Sequence, residues 1–319
     1  MESLLQEAIL MKAPVCDYGT MLMYYSERAL TDQNDAPRAM AGIIRRFTEV
    51  MKCRFLEGLP TALLDLFIIF HAFHSTLRRR SSFPSYSWTG WQGSIIADLS
   101  YLDLDNNSRL NDWFLKRTWI IWHKRSPSGI TNLVWDPGAS DSFHSPDTKH
   151  WGYRHKRLFS DHRRISKQLN TRRKIPTEEV SFSRVVPAYP ILQFWTVSVF
   201  YTITDIDVFE ATGYLADLNN AKCGFAWLDS FEETTFFESK GPFEVILLSE
   251  ACAHDAYQKF DGDFNLDYPE VINQWRYYNI LLLEWQGGIA ERRGFGVIFQ
   301  GAVDNSLAPG PVWKEIFLA

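Results

Sequence analysis

In the stretch 193–203 every second side chain from Trp195 onward is apolar (Trp195, Val197, Val199, Tyr201, Ile203), and Thr196, Ser198 and Thr202 fall between them. Successive side chains leave a strand on opposite faces, so this period of two predicts a half-buried β-strand and excludes a helix there. Similar short stretches at 118–123, 130–135, 224–228, 243–248, 278–285, 293–300 and 313–318 are separated by Gly, Pro, Asn and Asp clusters. Many short strands without long helices between them predict an antiparallel sandwich or barrel. The tripeptide Gln286-Gly287-Gly288 predicts a hairpin turn inside it.

The first eighty residues change period. After Asn34-Asp35 and Pro37, the residues Met40, Ile43, Ile44, Phe47, Val50 and Met51 recur at helical steps, with Arg45, Arg46 and Glu49 on the polar face. A second helix is expected from Pro60-Thr61 to about Leu77, ended by Arg78, Arg79 and Arg80 and the breaker Phe83-Pro84, and a weaker one over 19–30. The fold class is therefore α+β, an N-terminal helical layer packed on a mostly antiparallel β-sandwich or barrel-like region. The expected division is 1–92 for the helical region and 93–319 for the β-rich region. Within the latter, 137–180 turns basic and polar and reads as a flexible insert, with a short helix at 157–169.

Composition narrows the function classes. With 46% hydrophobic and 22% charged residues, the chain is neither disordered nor fibrous. A net charge of −5 argues against a dedicated nucleic-acid binder, yet 149–174 holds ten Lys/Arg and one acid, Asp161. Cys16, Cys53, Cys223 and Cys252 lie too far apart in sequence for a zinc motif or a disulfide framework, which fits a reducing compartment. The N-terminus lacks the layout of a signal peptide, and the most apolar run, 62–73, is interrupted by Asp65 and His71 and falls short of the ~18 residues of a membrane span. The expectation is a cytoplasmic protein without a membrane partner, with a nuclear destination through the basic insert as the alternative.

Two groups of residues carry more than periodicity. The first runs through Tyr24-Tyr25-Ser26-Glu27-Arg28-Ala29-Leu30-Thr31, Asp35-Ala36, Ala41-Gly42-Ile43, Gly58-Leu59-Pro60, Arg79-Arg80 and Phe83-Pro84-Ser85-Tyr86-Ser87-Trp88-Thr89-Gly90-Trp91-Gln92-Gly93. The second is Tyr277-Tyr278-Asn279-Ile280-Leu281-Leu282 with Ala290-Glu291-Arg292-Arg293-Gly294-Phe295-Gly296. In order and spacing they resemble the region that follows the HET domain in fungal heterokaryon-incompatibility proteins, with Tyr86 where that family has Trp. In such proteins the HET domain drives death of fused cells. No segment of this sequence matches that domain, so the resemblance implies an accessory module in nonself recognition and assigns no effector residue.

Read physically, Phe83, Pro84, Ser85, Trp88, Gly90, Trp91 and Gly93 form a structural device: Pro84 ends a helix, the glycines permit turns, Trp88 and Trp91 plug the helical layer onto the sheet, and the Ser85 and Ser87 hydroxyls satisfy nearby backbone. No catalytic residue, cofactor site or metal site is expected. The Asp261-Asp263-Asn265-Asp267 series has Leu266 where a calcium loop needs Gly, the Asp103-Asp105-Asn107 cluster meets the same objection, Gly294-Phe295-Gly296 opens a strand rather than a helix, and His71 and His74 have no third ligand in view. The leading expectation is a non-catalytic interaction module with a protein partner. Two alternatives stand beside it. One is a carbohydrate-type hydrolase or binder with an aromatic cleft, Asp229 or Glu244 acting as acid and base. The other is nucleic-acid association through Arg163, Arg164, Arg172, Arg173 and Lys174, interleaved with Trp151, Tyr153 and Phe159.

Overall fold

The structure, a computed structural model, describes residues 2–28, 32–51, 53–73, 76–97, 113–114, 117–134, 175–230, 241–251, 267–268 and 276–319, with side chains from residue 14 onward. The basic residues Arg163, Arg164, Arg172, Arg173 and Lys174, the 157–169 helix, His74, the 103–107 cluster and most of the 261–267 loop lie outside the described residues.

The class is α+β. Helices α1 (Glu2–Ser26), α2 (Ala36–Ala39), α3 (Ala41–Met51) and α4 (Leu64–Phe67) precede the large sheet, interleaved with β1 (Phe55–Leu56), β2 (Leu59–Pro60), β3 (Phe70–Ala72), β4 (Arg78–Arg79), β5 (Trp91–Gln92) and β6 (Ile95–Ala97). These six strands form three separate two-stranded pairs, β1 with β2, β3 with β6 and β4 with β5. The large sheet contains β7 (His123–Arg125), β8 (Thr131–Leu133), β9 (Ile191–Asp207), β10 (Thr212–Ala216), β11 (Lys222–Leu228), β12 (Phe243–Ala251), β13 (Tyr277–Gln286), β14 (Ile289–Phe299) and β15 (Val312–Leu318).

The sheet closes on itself because β9 is long. Its residues 198–201 pair with β12, and its residues 202–207 pair with β10. From β10 the pairing passes to β11, β14, β13 and back to β12, all antiparallel. Strand β15 lies along the first half of β9 and meets β14 in parallel at Ala290 and Leu318. A buried cluster drawing on all six strands of the ring fills one face: Val199 of β9, Leu215 of β10, Ala226 of β11, Val245 of β12, Ile280 of β13 and Ile298 of β14, with Ala302 and Val303 packed onto them. We read this face as the interior of a small barrel, filled by side chains rather than hollow. Alternate residues of the same strands, among them Phe194, Ile246, Leu281, Leu283 and Phe295, join a second cluster that contains the N-terminal region.

Over residues 191–201 strand β9 is consequently covered on both faces, not half-buried, while 202–207 emerge toward the surface. The hydroxyls between its apolar residues are consumed inside the protein: Thr196 donates to the Leu247 carbonyl and Ser198 to Glu244. The hairpin at 286–289 stands as read, with Gly287 at φ 58° and Gly288 at φ 89°, the left-handed values its tight turn requires. The stretch 118–123 forms one bridge, Thr118 to Ser249, and enters strand only at His123.

The N-terminal region departs further from expectation. Helix α1 buries a stripe of Val15, Tyr18, Leu22 and Tyr25 at three- and four-residue spacing, and α3 exposes Arg45, Arg46 and Glu49 as read. The second expected helix is absent. Residues 61–67 make one short 3-10 turn and α4, after which the described residues form strands β3 and β4. Every described residue from Leu59 to Ala72 is buried, so no polar face exists to hold a helix in register, and the apolar run follows the surface it docks on.

Candidate functional site

The turn between β1 and β2 places Glu57 at φ 49° and Gly58 at φ 86°. Its two carbonyls become a docking point for side chains far away in sequence. Gly58 accepts from the Tyr18 hydroxyl and, at 3.1 Å, from the Trp88 indole; Glu57 accepts from the hydroxyls of Ser87 and Thr89. A Cβ at position 58 would stand 2.7 Å from the Trp88 indole nitrogen, so glycine is required by space as well as by φ.

From Ser87 the segment turns over itself. Trp88 and Trp91 are wholly buried, and Trp91 donates its indole N–H to the Ser85 carbonyl at 2.8 Å. Gly93 has the left-handed φ expected of it (133°), but Gly90 does not; glycine is needed there because a Cβ would come within 2.2 Å of the Pro84 carbonyl oxygen. Arg79 sits beneath the turn, donating to the carbonyls of Phe83 (2.7 Å), Gly90 (3.1 Å) and Arg80, with its guanidinium over the Trp91 ring. Arg80 donates to the Trp91 carbonyl and, at 2.8 Å, to Gln33. These arginines therefore hold the aromatic segment rather than ending a helix.

The same segment reaches the barrel. The Ser85 hydroxyl donates to the Ala319 carbonyl and accepts from the Arg292 backbone N–H at 2.9 Å, while the Ser85 N–H also donates to Ala319 at 2.9 Å. These serines satisfy backbone as expected, though not nearby backbone: the partners lie 234 and 30 residues away for Ser85 and Ser87. Tyr86, its phenol pushed well up by burial, donates to the Pro190 carbonyl at 2.7 Å.

Arg292, in the middle of β14, is fully buried and forms a two-point pair with Asp229, Nε to Oδ2 at 2.8 Å and Nη2 to Oδ1 at 3.1 Å. It donates as well to the carbonyls of Ile68 (3.0 Å) and Phe70, and its guanidinium carbon stands 3.6 Å over the Phe70 ring. Burial works against charge on both partners, raising the Asp229 carboxyl and lowering the Arg292 guanidinium, and the pair with its carbonyl acceptors offsets that. Beside it Glu291 lies within ion-pair distance of Arg79, Arg184 and Arg293. Motif stretches from both ends of the chain thus meet at one seam. Sequence reasoning missed the Asp229–Arg292 pair; the available signal was an arginine in the interior of a strand, a position where an uncompensated charge does not persist.

The two carboxylates considered for hydrolysis are not brought together. Asp229 follows β11 and Glu244 lies on β12, with β13 and β14 between them in the sheet. Glu244 accepts from Ser198 (2.7 Å), Trp285 (2.7 Å) and Lys314 (2.8 and 3.0 Å), and Asp229 is enclosed with Arg292. His71 is buried, its ring stacked on Trp227 at 4.5 Å and hydrogen-bonded to the Ala72 carbonyl. Among the described residues no group of three metal-type ligands occurs, and no helix of the described residues is long and apolar enough to cross a membrane.

At the end of the basic insert, Thr177 is anchored through its N–H and hydroxyl to Glu315, and Arg125 donates to the carbonyls of Thr177 and Glu178. Arg125 also donates to Thr131 on β8, so the described residues on either side of the insert are held side by side. The part of 137–180 that is described, 175–180, is thereby pinned to the barrel. What the seam and barrel define is an α+β protein whose N-terminal region is clamped onto a closed sheet. Comparison with protein-family models, curated proteins and solved structures finds no match to this chain.

Proposed function

We propose that this chain is a non-catalytic accessory or regulatory module, working in the cytoplasm through a protein partner, of the kind that follows the HET domain in fungal incompatibility proteins. The observation that carries the reading is the seam: residues of the resemblance separated by some two hundred positions, Ser85 and Arg292, bond to each other, and their donors are spent on backbone carbonyls and on one buried ion pair. Such residues maintain an architecture, which is the role an accessory module asks of them. The two-carboxylate hydrolase gains no support from Asp229 and Glu244, each already bonded to structural partners. The test is enzymatic: purified full chain incubated with NAD and with a panel of oligosaccharides. No turnover above a heat-treated control is expected, and reproducible NAD cleavage that copurifies with the protein overturns the proposal.

A further inference from the structure

The β9–β10 hairpin ends in Asp207-Val208-Phe209-Glu210-Ala211, and Phe209 there is 93% exposed and Val208 59%. The tip is built to hold them out. The Asp207 carboxylate accepts from the backbone N–H groups of Phe209 (2.9 Å) and Glu210 (3.1 Å), Thr212 pairs back to Asp207, and Ala211, buried at φ 52°, accepts from Leu228 at 2.7 Å. A turn whose backbone is braced keeps the apolar area at its tip available and has little backbone ordering entropy left to lose on binding. Asp205, Asp207 and Glu210 lie in or beside the turn, and Lys222 is engaged with Asp205 at 2.7 Å and with the Tyr214 ring.

We infer that this hairpin tip is a docking finger, with Phe209 entering an apolar pocket that is rimmed by Lys or Arg on a partner protein. Charge selects the occupant. Asp207 and Glu210, the two carboxylates that Lys222 does not neutralise, disfavour an anionic membrane surface and match a cationic rim. Two apolar side chains are far below the ~1,000 Å² a specific stable interface buries, so the tip acts as one anchor of a weak, transient contact rather than as a stable two-tip dimer. The inference rests on the reading of the chain as an interaction module and names the chemistry of its partner.

The experiment places the photo-crosslinking residue p-benzoylphenylalanine at position 209 of the full chain, and separately at the equally exposed control Val185 (89%), in the cells that make the protein. Adducts are then mapped by mass spectrometry. The expected result is an adduct from position 209 alone, joined to an apolar site with Lys or Arg within a few residues, its yield lowered about threefold by Glu210→Lys, the loss of one rim charge pair. Adducts joined to lipid, to a second copy of this chain, or unmoved by Glu210→Lys overturn the inference. No protein adduct from 209, whether or not 185 reacts, removes the finger and leaves the interaction module standing, since that reading is overturned by NAD cleavage.

Discussion

The barrel and the N-terminal region are both buried, but for different reasons. In the barrel most strands, β9 and β11–β14, carry two apolar faces of their own, one for the interior and one for the N-terminal region, and neighbouring strands supply their backbone partners. Between residues 53 and 97, by contrast, backbone pairing is confined to two- and three-residue strands, and side chains from distant segments make up the difference. A region of the first kind holds its shape through its own pairing; one of the second kind depends on the surface it sits on.

The variant with the largest expected effect attacks that dependence. Arg292→Met leaves Asp229 buried without its counter-charge and releases two carbonyls of the 68–70 segment, at a cost of about 3–5 kcal/mol by analogy with other broken buried pairs. Hydrogen exchange should show residues 59–97 losing protection before β12–β14 do. Arg292→Met combined with Asp229→Leu should recover part of the loss, because it removes both charges. Equal loss of protection across the molecule would show the two regions to be one cooperative unit and erase the contrast drawn above.

Gly90→Ala comes next. The added methyl must displace the Pro84 backbone, and about 2–3 kcal/mol is expected, read as a fall in the thermal midpoint. Gly42→Ala, with nothing within 4 Å of the new methyl, serves as its control. Ser85→Ala removes one hydroxyl that serves two backbone groups of the barrel, and a loss of about 1–2 kcal/mol by chemical denaturation is expected.

The smallest effect is a pH dependence. Burial raises the Glu57 carboxyl above its ordinary value of 4.5, so the folded chain holds that proton more tightly than the unfolded one. Its contribution to stability is then full below that ordinary value and declines as pH rises through the raised one. Glu57→Gln should flatten the stability profile over this weakly acidic window and leave it unchanged at lower pH; an unaltered slope would show that Glu57 is not its source.

How much was legible follows the same division. The alternation in 193–203 and the strands at 224–228, 243–248, 278–285 and 313–318 were readable because a strand's period is local, as was the Gly287-Gly288 turn. The two-sided burial of β9 was not, since Thr196 and Ser198 read as solvent-facing until Leu247 and Glu244 are placed beside them. Strand β10 escaped notice because Thr212, Gly213 and Tyr214 show no clean alternation; pairing with β9 and β11 on both edges makes it a strand. In the candidate site, the importance of Phe83 to Gly93 was visible in its Trp, Pro and Gly content, while its partners Ala319, Arg292 and Glu57 were not.

By itself, then, the sequence determined the α+β class, α3, most barrel strands and the bulky aromatic plug, all properties set by neighbours a few residues apart, and of α1 only the end, as a weaker helix over 19–30. Only the tertiary structure decided that residues 59–72 abandon the helix, that β9 is covered on both faces over residues 191–201, and that Ser85, Asp229 and Arg292 share one seam. The physical reason is that a fully buried apolar run or a buried charge takes its conformation from whatever surrounds it, and those surroundings come from residues a hundred or more positions away.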